Sequence, residues 1–140
     1  MKKQLLIYAL SIIISFIIVL PGLAEEQIKT MDHSGHAGVK IHESTVQEYR
    51  LAFHLLDLPG REERHLMTYI KSSEGLPVTE ATVGYLIKGP DNAVQKIMAM
   101  GMKDSFGGDV NFTAKGSYTI KVKAVVNDKK LIDEFIYEVK

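Results

Sequence analysis

Beyond about residue 40 the chain is built of short runs in which apolar and polar residues alternate, each run stopped by glycine, proline or an Asn-Asp pair. Alternation with a period of two marks a half-buried strand rather than a helix. Within Val46 to Leu58, the residues Tyr49, Leu51, Phe53 and Leu55 alternate with Glu48, Arg50 and His54, so His54 is expected to face away from the apolar row. Asp57-Leu58-Pro59-Gly60 reads as a turn and Arg61 to Arg64 as a charged loop. His65 to Ile70 and Thr79 to Lys88 follow as strands, and Gly89-Pro90-Asp91-Asn92 is a further turn. Gln95 to Met100 is read as a strand with Gly101 as a bend; the competing reading is a short helix capped by Asp91 or Asn92, with Val94, Ile97, Met98 and Gly101 at helical spacing. A glycine break at Gly107-Gly108 precedes Asp109 to Thr113, Ser117 to Val126 and, past the turn at Asn127-Asp128, Leu131 to Val139. Strands at this spacing predict an all-β domain over residues 41–140, a seven-stranded antiparallel immunoglobulin-like β-sandwich.

The amino terminus reads as an export signal. Met1-Lys2-Lys3 supplies the positive start, Leu5 to Leu20 is almost unbroken apolar sequence, and Pro21-Gly22-Leu23-Ala24 offers small residues for cleavage after Ala24. The alternative is an uncleaved membrane anchor over residues 1–24, since the run falls between the lengths of a signal core and a spanning helix. Either reading places the domain outside a bacterial cytoplasm, in a periplasm or secreted. Removing Lys2 and Lys3 from the 17 basic residues leaves 15 against 17 acidic ones, so no basic surface for nucleic acid is implied. Residues 25–40 are polar, glycine-containing and aperiodic, and read as a mobile arm.

There is no cysteine, so any soft-metal site must come from methionine and histidine. Met98, Met100 and Met102 recur at every second residue, and in an extended strand they share a face with about 6.7 Å between neighbours. Thioether sulfur outside a reducing compartment favours Cu(I), although methionine also fills irregular cores. Met98 and Met102 stand about 13 Å apart in a straight strand, too far to converge on one ion. Either the chain bends at Gly101, or another strand contributes. His65 and Met67, two apart on one strand, are the first candidates and His54 the next. In the arm, Met31-Asp32-His33-Ser34-Gly35-His36 makes a loose chelate through His33 and His36 that suits Cu(II), Zn or Cu(I).

Several segments carry a resemblance: His65-Leu66-Met67 with Tyr69-Ile70, Val83-Gly84-Tyr85, Gly89-Pro90, Met98-Ala99-Met100-Gly101-Met102 and Gly116-Ser117-Tyr118-Thr119-Ile120. They are similar to those of small exported bacterial proteins with a YtkA-like, immunoglobulin-like sandwich, some of which sit among copper and heavy-metal handling functions. The Asp32-His33-Ser34-Gly35-His36 arm likewise resembles the histidine- and methionine-rich leaders of periplasmic copper-resistance proteins. The resemblance implies exported metal binding and no defined pathway; the partners to be expected are a metal ion first and, beyond it, another envelope copper-handling protein. Catalysis finds little support: Ser34-Gly35-His36 in a mobile arm offers no rigid nucleophile and base, and a blue-copper centre would need a cysteine. The expectation is a non-enzymatic copper-binding domain, with a non-metal envelope interaction domain as the competing class.

Overall fold

The computed structural model describes residues 36–140; the expected signal segment, most of the arm and His33 lie outside them. Among the described residues every element is a strand: β1 Val39–Val46, β2 Tyr49–Asp57, β3 Arg64–Lys71, β4 Thr82–Lys88, β5 Val94–Met98, β6 Met100–Met102, β7 Ser105–Val110, β8 Gly116–Val126 and β9 Lys129–Val139. They form two antiparallel sheets, one ordered β1-β2-β3-β7-β6 and the other β5-β4-β8-β9. The all-β expectation holds, with nine strands in place of the expected seven.

One core joins the sheets. Leu51, Phe53 and Leu55 from β2, Leu66 and Ile70 from β3, and Phe106 and Val110 from β7 meet Val83 and Ile87 of β4, Ile120 and Val122 of β8, and Leu131 and Phe135 of β9. The alternating residues of each run supply this face, as the period-two pattern requires. Tyr85 crosses the interior from β4. Its hydroxyl lies 2.7 Å from Thr68 Oγ1 and 3.2 and 3.4 Å from the carbonyl oxygens of Phe106 and Leu66. A buried phenol without such partners would cost the desolvation of its hydroxyl, so this contact fixes β3 and β7 relative to β4.

Three boundaries depart from the sequence reading, each for a physical reason. The expected strand Val46 to Leu58 contains a hairpin turn, because Gln47 and Glu48 take φ of 46° and 75°. Two consecutive positive φ values are the geometry of a two-residue I′ loop, and neither residue type announces it. The expected strand through Gln95 to Met100 is two strands: β5 pairs with β4 in one sheet, β6 with β7 in the other. The change of sheet falls at Ala99, whose N–H donates to Val83 O at 2.9 Å, so Gly101 is not the bend but a paired residue of β6.

Gly107-Gly108, expected as a break, lies inside β7. A Cβ on Gly108 would stand 2.6 Å from Ile97 Cγ2, and one on Gly107 would stand 2.3 Å from His65 Nε2. The pair therefore clears room on both faces of the strand. Beyond β7, the Gln95 side chain replaces strand pairing: its Nε2 donates to Asn111 O at 2.7 Å and its Oε1 accepts from Asn111 N at 2.8 Å.

Candidate metal centre

The outer face of the five-stranded sheet gathers most of the residues singled out from the sequence. Register places His54 of β2 opposite Met67 of β3, Met67 opposite Gly107 of β7, and Gly107 opposite Met100 of β6. Directly opposed residues point to the same face, so these four form one row across the sheet. Met67 and Met100 flank a position without a side chain, with backbones about 10 Å apart. Both side chains are long enough to lean over the gap.

His65 fills that gap. It is two residues before Met67 on the same face, and its ring reaches over Gly107. Its Nδ1 lies 2.8 Å from Asp109 Oδ1, its register partner, and Asp109 Oδ2 accepts from Arg61 Nη2 at 3.0 Å. The hydrogen bond from His65 holds the Asp109 carboxyl below the usual carboxylate range, with Arg61 acting in the same direction. A carboxylate acceptor at Nδ1 sets the tautomer of a neutral imidazole and leaves a lone pair on Nε2. That Nε2 is buried and finds no hydrogen-bond partner among the described residues. It lies over Gly107, the position that register sets between Met67 and Met100. A carboxylate bonded to one ring nitrogen fixes the orientation of the imidazole, as outer partners do for metal-binding histidines.

Burial grades the donors. Met67 is 5% exposed and His54 fully buried, whereas Met100, at the sheet edge, is 75% exposed. The base of the row is thus fixed by packing and its edge is open to solvent. Met102 pairs with Ser105, whose side chain hydrogen-bonds the Tyr69 hydroxyl. Met98 stands apart from its two neighbours in sequence. It belongs to the four-stranded sheet, opposite Gly84, and its Sδ would lie 3.3 Å from a Cβ there. It lines a shallow groove of about 540 Å³ on the outer face of that sheet, with Leu86, Val125 and Ile132 as apolar walls and Lys121 and Lys123 at the rim.

His36 stacks on Tyr69 with ring centroids 3.7 Å apart and planes at 10°. It also meets the edge of His54 at 5.4 Å between centroids. Burial raises the Tyr69 phenol above its usual range, opposed by hydrogen bonding to the Ala37 main chain. His42, outside the candidate set, stacks on Phe135 and lies 3.2 Å from Asp133 Oδ2. Asp109 and Gly107 were not singled out from the sequence. The period-two spacing of His65 with Met67, and of Gly107 with Asp109, is compatible with their placement, but register across strands cannot be read from one chain.

Among the described residues, no group of three or more His, Asp or Glu side chains converges as a metal site. Compared with protein-family models, curated protein sequences and solved structures, the chain matches none.

Proposed function

We propose that this chain is an exported, non-enzymatic copper-binding protein that buffers or passes on Cu(I) through His65, Met67 and Met100. The observation that carries the reading is the His65 imidazole, tied to Asp109 at Nδ1 and presenting a buried, unpartnered Nε2 over Gly107 between two methionines. One neutral nitrogen and two thioethers make a soft, uncharged donor set, which selects Cu(I) over Zn or Mg. The graded burial supports transfer: His65 and Met67 are held by the sheet, while the exposed Met100 can be exchanged for a ligand of an acceptor protein. His54 and Met102 border the set, and the His33 and His36 arm is the alternative seat for Zn or Cu(II).

The same reading takes the fold as immunoglobulin-like. The order β2-β3-β7-β6 against β5-β4-β8-β9 parallels the A-B-E-D and C′-C-F-G sheets of such sandwiches, with β1 as an added edge. The amino-terminal segment supports export, with a membrane tie only if it stays uncleaved.

A competition titration of the protein with Cu(I) under anaerobic, reducing conditions against a chromogenic chelator tests the function, run beside Zn and beside His65→Ala. Tight stoichiometric binding lost in the variant is the expected result; equal binding by both proteins would sink it. A second reading, a non-metal envelope interaction domain, draws on the exposed apolar groove around Met98 and Ile132. It gains if the parent protein binds no Cu(I).

A further inference from the structure

The row across the outer face continues past Met67, away from His65, and ends in a second pair of imidazoles. His54 is the register partner of Met67 and is wholly buried although it points to the outer side of the sheet. Its cover includes His36, delivered by the segment that leads into β1. The two rings lie 5.4 Å apart between centroids, with an interplanar angle of 81°. Two imidazoles bound to one ion through nitrogens at ~2.0–2.1 Å place their centroids about 5 Å apart. The centroid spacing of His36 and His54 is close to that value.

Met67 borders both sets. It is opposed by His54 on one side and by Gly107, under the His65 ring, on the other. Its side chain is unbranched, and rotation about its terminal torsions swings the sulfur from one side to the other. His36 stacks on Tyr69, and the main chain of the next residue, Ala37, hydrogen-bonds the Tyr69 hydroxyl. Ala52, opposite Tyr69, is small and lines the same hollow as His36.

We infer that the outer face holds a second position for a soft monovalent cation, a receiving position made by His36, His54 and Met67, from which the ion moves to His65 and Met100 with Met67 retained as ligand. The inference rests on the Cu(I) reading of the preceding subsection and assigns the arm a role within it. The step is a ligand exchange: two imidazole bonds to the ion are replaced by one imidazole and one thioether bond, and the oxidation state does not change. Its physical advantage is access. His65 Nε2 is buried, as His54 and Met67 are, whereas His36 is half-buried at the entry to β1 and is the member of the receiving set that an arriving ion meets first.

The experiment follows Cu(I) uptake by the full chain from a chromogenic chelator in a stopped-flow instrument, with the equilibrium affinity measured on the same samples. His36→Phe keeps a flat ring for Tyr69 but has no nitrogen; His36→Met restores a soft donor without the stack. His36→Phe is expected to slow uptake by about tenfold while shifting affinity by less than about threefold, and His36→Met to recover much of the rate. Uptake by His36→Phe at the parent rate overturns the inference and leaves the His65 site standing, because His36 then only packs. A fall in affinity equal to the fall in rate also overturns it, since His36 would then belong to the resting site. A parent chain that takes up no Cu(I) overturns both readings together.

Discussion

His65 Nε2 lies 2.3 Å from the point a Cβ on Gly107 would occupy, so the imidazole rests where any other residue would have its side chain. The relationship makes Gly107→Ala a sharp probe. The least costly relief of the clash is to swing the ring outward, which breaks its bond to Asp109 and removes Nε2 from between Met67 and Met100. Cu(I) affinity should fall by about 10–100-fold, the usual scale for losing an outer partner of a metal-binding histidine. The thermal transition should move little, because the displaced atom is the far end of a side chain. Asp109→Asn should produce a loss of the same order. A competition titration paired with a melt measures both, and unchanged affinity in Gly107→Ala would remove His65 from the site.

The three spaced methionines should separate in their effects. Met100 opposes Gly107, Met102 opposes Ser105 one row away, and Met98 lies on the other sheet. Met100→Leu should therefore weaken Cu(I) binding most, Met102→Leu less, and Met98→Leu hardly at all. Titrating the three single variants in parallel decides it; a Met98→Leu defect as large as that of Met100→Leu would contradict this geometry.

Much of this site was legible strand by strand and little of it between strands. The alternation in Tyr49 to Leu55 correctly turns His54 to the outer side, and the spacing of His65 and Met67 correctly gives them one face. Period-two patterns carry that information because each strand's pleat is local. The pairing of Met100 with Gly107 is not local, and a shift of one residue would have turned the methionines inward. Met98, Met100 and Met102 keep one parity, but the chain changes sheets at Ala99, so parity alone does not make them neighbours. The glycine pair misled for the opposite reason. Glycine usually stops a strand, and here two of them continue one, because Ile97 on one side and His65 on the other need the space.

The first hairpin carries a stability prediction from the same source. Glu48 holds φ of 75° with a side chain that the left-handed region disfavours. Glu48→Gly should raise unfolding free energy by about 1 kcal/mol, because relief of the left-handed backbone outweighs the extra freedom of the unfolded chain. Urea unfolding with an unchanged slope would record it as a shift of midpoint alone, and a destabilised variant would show that Glu48 contributes through its side chain.

Tyr85 links the interior to the site and gives a prediction in pH. Its hydroxyl reaches Thr68 and the carbonyls of Leu66 and Phe106, the residues that bracket Met67 and precede Gly107. Tyr85→Phe leaves Thr68 Oγ1 with less to bond and should cost about 1–3 kcal/mol, while adding Thr68→Val should recover part of it by removing the stranded hydroxyl. Burial pushes the phenol far above its ordinary value of 10.0, with the Thr68 hydrogen bond opposing the rise. In the unfolded chain Tyr85 ionises near that ordinary value, and in the folded chain it stays neutral well beyond it. Its contribution is therefore complete below about pH 10 and is lost progressively as pH climbs from there toward the raised folded value. Urea midpoints measured from pH 8 upward should fall more steeply in the parent than in Tyr85→Phe, whose curve lacks this proton release. Parallel curves would mean that the Tyr85 hydroxyl is not buried as the sheet packing places it.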